Sequence, residues 1–248
     1  MISQSIRNLT GTQTLARIAL KVFASLLLLT GSSAALAQDV RWSWFEIAFI
    51  EQDIGQQGTI TDFALNQTVD VDASSGNGIK FKATIGTWHN LFAFIDFTST
   101  DIDVDVVVTN AGGEFPASDE FDYTTYRSGI GAKWSVTHST DIYGAVTYDS
   151  TDFDFGSFAG ENFDTGDKDI GAEVGVRSML GDNLEIRLTG RYTNVGAVDL
   201  STGVLDSDTL FGVGFGYELV HGLSITGDYE SGEFSRWNLG FRLDLNED

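Results

Sequence analysis

Three groups of side chains in this sequence have the types and spacing for chemistry. The stretch FTSTDIDVDVVV (97–108) sets Asp101, Asp103 and Asp105 at every second position, and Asp152 and Asp154 repeat the spacing further on. In an extended chain such a spacing puts the carboxylates on one side, as a hard cation requires of oxygen ligands. The aspartate run lacks the glycine and the closing glutamate of an EF-hand loop, so a diffuse acidic rim is expected there and no firm metal site. Acid–base work would need the three histidines, His89, His138 and His221, and each sits in a short turn-like segment (TWHN, VTHST, LVHG). No G-x-S-x-G, H-E-x-x-H or P-loop pattern is present, and no cofactor is implied. The third group is larger and mixed in sign. Glu46, Lys80, Lys82, Asp96, Arg127, Lys133, Glu173, Arg177, Glu185, Arg187, Arg191, Glu218, Asp228, Glu230, Arg236 and Arg242 all fall on the polar phase of alternating segments.

Those segments are what must position the charges. Ile170 to Arg177 (IGAEVGVR), Leu184 to Tyr192 (LEIRLTGRY), Thr209 to Leu219 (TLFGVGFGYEL) and Arg236 to Leu245 (RWNLGFRLDL) alternate apolar and polar residues with period two. No long segment has helical periodicity. Ten strands are predicted near 41–52, 77–88, 91–105, 120–136, 140–154, 167–180, 183–196, 207–220, 222–232 and 234–245. Tight turns alternate with longer polar loops, expected at 53–76, 106–119, 155–166 and 197–206. Short turns at one end and long loops at the other are the habit of a transmembrane barrel with an even strand count.

The N-terminal segment has its own reading. Arg7, Arg17 and Lys21 precede the apolar run Val22 to Leu29, and Ala35-Leu36-Ala37 offers small residues for a signal peptidase. Residues 1–37 read as a cleavable signal, with the cut between Ala37 and Gln38, and 38–248 as one barrel domain. Loss of three basic residues takes the formal charge from −22 to −25. That acidity argues against nucleic acid and anionic headgroups as direct partners and is compatible with metal-ion bridging. With no Cys, 28 Gly, 1 Pro and 18 Phe, the composition fits a barrel better than a helical enzyme.

A half-buried soluble sheet would also alternate, so the placement of bases matters. Nine of the eleven Lys and Arg beyond the signal lie on the polar phase. A base facing lipid at mid-membrane would cost roughly 2–4 kcal/mol, so this phase is assigned to the lumen. Apolar-phase aromatics mark the strand ends: Tyr126, Tyr148, Tyr192, Phe211 and Tyr229 at one end, Trp134 and Tyr217 at the other. Past Ser99 the aspartates take the phase that Leu91, Ile95 and Phe97 held, which places the water line there.

GAEVGVRSMLGDNLEIRLTGRY (171–192) and GLSITGDYESGEFSRWNLGFRLDL (222–245) resemble small Gram-negative outer-membrane barrels of the OmpA/OmpX-like class, including diffusible-signal-linked outer-membrane proteins. The likeness is one of pattern over about 40–245, without a signature motif. It implies an integral outer-membrane protein inserted by the barrel-assembly machinery, and the even strand count is expected to return both termini to the periplasm. Such barrels commonly end on an aromatic, whereas this chain ends Leu245-Asn246-Glu247-Asp248, with Phe241 the nearest substitute. The expected role is structural or surface-interacting and non-enzymatic. Lipopolysaccharide is the expected partner, bridged to the acidic rim by divalent cations. Eight strands are the alternative count for the barrel. A small gated pore for ions or small solutes and a soluble exported Ca²⁺-binding β-sandwich are the competing readings.

Overall fold

A chain that alternates its faces forms a sheet with two unlike sides, and closing that sheet removes every open edge within the closed part. The computed structural model describes residues 40–62, 67–86, 90–158, 161–199 and 204–245. The strands are β1 (Trp44–Asp62), β2 (Gln67–Gly86), β3 (Leu91–Asn110), β4 (Gly113–Thr137) and β5 (Thr140–Phe158). They continue as β6 (Glu161–Leu180), β7 (Leu184–Asp199), β8 (Val204–Val220), β9 (Leu223–Ser231) and β10 (Ser235–Asp244). Each strand pairs antiparallel with its chain neighbour, and β1 pairs with β10 from Trp44↔Asp244 to Asp53↔Ser235. The count is ten, and the closed ring rules out both the eight-stranded alternative and the sandwich.

The strand lengths correct one expectation. The stretches 53–76, 106–119, 155–166 and 197–206 are largely strand: β3 and β4 run on to a turn at Ala111 and Gly112, and β4 reaches 25 residues. Only about 9–11 residues are needed to cross a bilayer, and β9 and β10, with 9 and 10, supply no more. The rest of the wall stands beyond the crossing. Such polar sequence reads as loop because a wall wet on its outer side no longer needs apolar residues there, although its backbone still needs ladder partners.

Three layers fill the interior. At the end where Val40 and Leu245 lie, Trp42, Phe92, Phe94 and Tyr143 form an aromatic cluster joined by Met179. Charged residues occupy the middle. At the far end Ile54, Ala73, Ile102, Val104, Phe121, Tyr123, Phe153 and Phe234 make an apolar core. Along β3 the inward face reads Phe92, Phe94, Asp96, Thr98, Thr100, Ile102, Val104. The inward phase never changes; the surroundings of the outer face do. Leu91, Ile95 and Phe97 are exposed on that face in one half, and Asp101, Asp103 and Asp105 in the other.

Small residues make room for the large ones inside. A Cβ built on Gly175 falls 2.6 Å from the Tyr143 ring and 2.7 Å from the Leu188 carbonyl. Gly175→Val should therefore lower the unfolding free energy by about 1–3 kcal/mol, read as an earlier urea midpoint with unchanged slope.

Candidate functional site

The lumen is the place where the charged side chains meet. Its middle layer begins as a ring of register partners. Arg242, Glu46, Lys82, Asp96, Arg127 and Asp149 lie directly opposite one another across β10, β1, β2, β3, β4 and β5. Charge alternates in sign over all six strands, an arrangement that favours adjacent pairs and spaces like charges two strands apart. All six lie inside the wall, and five of them are buried.

A second set of pairs crosses the lumen. Arg187 on β7 reaches Glu46 on β1 at 3.7 Å and Asp228 on β9 at 3.0 Å. Arg242 on β10 meets Glu185 on β7 at 3.1 Å, and Arg127 pairs with Glu173 two strands away. Arg177 and Arg187 are register partners of like charge. Glu185 resolves the conflict. It accepts from Arg177 Nε and Nη2 at 3.1 and 2.8 Å, lies 3.9 Å from Arg187 Nε, and is itself 1 % exposed. Glu230 serves Arg236 and Arg191 in the same way, with Arg191 at 3.8 Å. These carboxylates hold cations that would otherwise repel one another in a poorly hydrated space.

The sixteen charges expected in the lumen, Lys80, Lys133 and Glu218 among them, all carry inward positions on their strands. Lys133 lies 5.3 Å from the Trp42 ring and Glu218 accepts from Arg41 at 3.2 Å. The aspartates do not join them. Asp101, Asp103, Asp105 and Asp152 are exposed on the outer face, and Asp154 is a register partner of Asp122 and Asp164. No cluster of three metal-ligating side chains occurs among the described residues. His138 and His221 are exposed on separate turns, while His89, Ala37 and Gln38 lie outside the described residues.

Sequence reasoning missed the plug at the terminal end. Residues 40–43 run inside the mouth ahead of β1, with Trp42 only 2 % exposed. Its indole N–H donates to Asp141 at 2.7 Å, and its ring lies 4.5 Å from Phe92 and 5.3 Å from Tyr143. Arg177 stands over it at 4.6 Å, a cation–π contact in a shielded site. The one available signal was Trp42 beside Trp44, two tryptophans in phase with the inward Glu46.

At the far end the β9–β10 turn tucks Phe234 into the apolar core, where it meets Tyr123 edge-on at 6.4 Å. Asp208 holds that turn by accepting the Glu233 N–H at 3.1 Å. Burial raises the Asp208 carboxyl above its ordinary range, against the pull of the Glu233 and Thr209 backbone N–H groups. Small cavities of about 60, 40 and 10 Å³ lie among these side chains.

Outside, the wall carries an apolar belt. Phe45, Ile47 and Phe49 on β1, Ile130 on β4, Val146 on β5 and Phe241 on β10 are each 42–72 % exposed. Aromatic side chains edge the belt: Phe97 beside Tyr126 and Tyr229 beside Trp237 at the far rim, Trp134 and Tyr217 at the other. Closed wall, apolar belt, aromatic edges and charged filling together define a small transmembrane β-barrel of the outer-membrane type.

No family model matches the chain, and no curated protein matches it. Among solved structures it is similar to the translocator domain of the autotransporter NalP from Neisseria meningitidis. That pair is 13% identical over 96% of this chain and 99% of that one, with a TM-score of 0.48. OprG from Pseudomonas aeruginosa is 11% identical over 85% of this chain and 99% of its own, with a TM-score of 0.44. Ail of Yersinia pestis is 13% identical over 82% and 99%, with a TM-score of 0.39.

Proposed function

We propose that the protein is an integral outer-membrane barrel whose lumen is structural filling and whose far half is its working surface. In this reading a cleaved signal exports the chain, the barrel-assembly machinery inserts it, and both termini face the periplasm. The far half then stands outside the cell. Its exposed carboxylates share bridging Ca²⁺ or Mg²⁺ with lipopolysaccharide phosphates. The role is non-enzymatic, in keeping with two exposed histidines on different turns.

One observation carries the reading: Arg242 on β10 and Glu46 on β1 pair across the lumen with Glu185 and Arg187 on β7, and the Trp42 plug and an apolar core fill the two ends. A solute would have to break all three layers. The competing gated pore has in its favour the charged lining around the 60 Å³ cavity. Purified barrel in planar bilayers at neutral pH should give no stable conductance steps. Reproducible open-channel steps would overturn the structural reading and establish the pore.

A further inference from the structure

The ring of strands is closed only in its lower part. β10 ends its pairing with β1 at Asp53↔Ser235, yet β1 continues to Asp62, laddered to β2 alone. Among the described residues no strand pairs with Ile54–Asp62 on its other side. The β6–β7 ladder likewise stops at Ala172↔Tyr192 while β6 begins at Glu161. Above the belt, among the described residues, β1 to β6 thus form a sheet with two open edges, and β7 and β8 continue as a separate two-stranded extension from Thr193↔Asp208 to Asp199↔Val204.

The two edges are treated differently. Proteins blunt open edges with charges or side-chain caps, because unpaired N–H and C=O groups recruit other strands. The β6 edge carries Glu161, Asp164, Asp167 and Asp169, and the Asn194 amide donates to the Ile170 carbonyl at 3.2 Å. The β1 edge has no charge and no proline over 54–61, and its one carboxylate is Asp62, the last residue of the strand. Nine residues of edge extend roughly 30 Å.

We propose that this β1 edge is a docking site for an extended cationic peptide segment, which adds a strand beside β1. The inference rests on the reading that the far half faces the exterior. The side chains flanking the edge specify the occupant. On the outer face Gln57 donates to Asp72 at 2.8 Å and Thr59 to Asp70 at 2.7 Å, with Asp53 exposed below. Asp101, Asp103 and Asp105 continue that face on β3. On the inner face Ile54 belongs to the apolar core, with Val71 packed against it. An added strand would therefore place alternate residues beside carboxylates and beside the core, so the fitting sequence alternates basic and apolar residues. A second copy of this chain fits poorly, because joining two β1 edges sets like-charged faces side by side.

The test uses the full chain in detergent or nanodiscs and a capped decapeptide of alternating Val and Lys. Saturable binding is expected, with hydrogen-exchange protection appearing in 54–62. An alternating Val–Glu peptide, a Val–Lys peptide with a central proline, and the Gln57→Lys/Thr59→Lys variant should each bind at least tenfold more weakly. Equal binding of any control, protection confined to other segments, or dimerisation through this edge would overturn the proposal. Conductance is read separately. A silent barrel that does not bind the peptide sinks only the docking site, and a conducting barrel that binds it sinks only the structural lumen.

Discussion

Replacing Glu185 with alanine should lower the unfolding free energy by about 3–5 kcal/mol, the cost of removing one partner from a buried ion cluster. Arg177, Arg187 and Arg242 all direct guanidinium groups at this carboxylate, which lies between the register partners Arg177 and Arg187 and is, among the described residues, the one carboxylate close to both. Glu185→Gln keeps the shape and removes the charge, so it should retain little of the stability. Urea titration in micelles, followed by tryptophan emission and by heat-modifiable gel migration, gives the measurement. Asp103→Asn, on the exposed outer face, serves as the comparison and should stay within about 0.5 kcal/mol. If Glu185→Ala falls within that same range, the lumen network does not hold the barrel together. Arg177→Met added to Glu185→Gln should recover part of the loss, because it removes one of the cations left unpaired.

The inward phase of the charges was legible because alternation is a local property, and a base on the lipid face is too costly to be common. Which charge meets which was not legible. The register sets Glu173 against Arg191, a pairing of opposite charges. It also sets Arg177 against Arg187, and the carboxylate that relieves them comes diagonally from Glu185. The pair from Arg187 to Glu46 joins strands far apart in sequence and depends on barrel closure. The strand extensions were hidden for a different reason. From Asp101 onward the outer face of β3 is hydrophilic, as a loop would be, while Ile102 and Val104 carry the core signal in the opposite phase. A membrane barrel is apolar outside and this far half is apolar inside, so the hydrophobic pattern inverts at the water line while the strand runs on. The open β1 edge follows from that inversion combined with the shortness of β9 and β10.

Trp42→Ala should cost about 3–5 kcal/mol, the range for deleting a large buried aromatic. The indole fills the mouth between Phe92, Tyr143 and Arg177. Trp42→Phe separates the contributions: it keeps an aromatic ring in place but takes the indole donor from Asp141, a loss of about 1–3 kcal/mol. The urea midpoints should therefore rank wild type, Trp42→Phe, Trp42→Ala. Neither variant should conduct in planar bilayers, since the Glu185 pairs and the Phe121–Tyr123–Phe153 core still close the path. A plug that were the sole gate would behave otherwise: Trp42→Ala would open stable steps with little change in the urea midpoint. The two variants thus distinguish a segment that stabilises a filled barrel from one that closes a channel. The depth of Trp42 and the two closures beyond it favour the first.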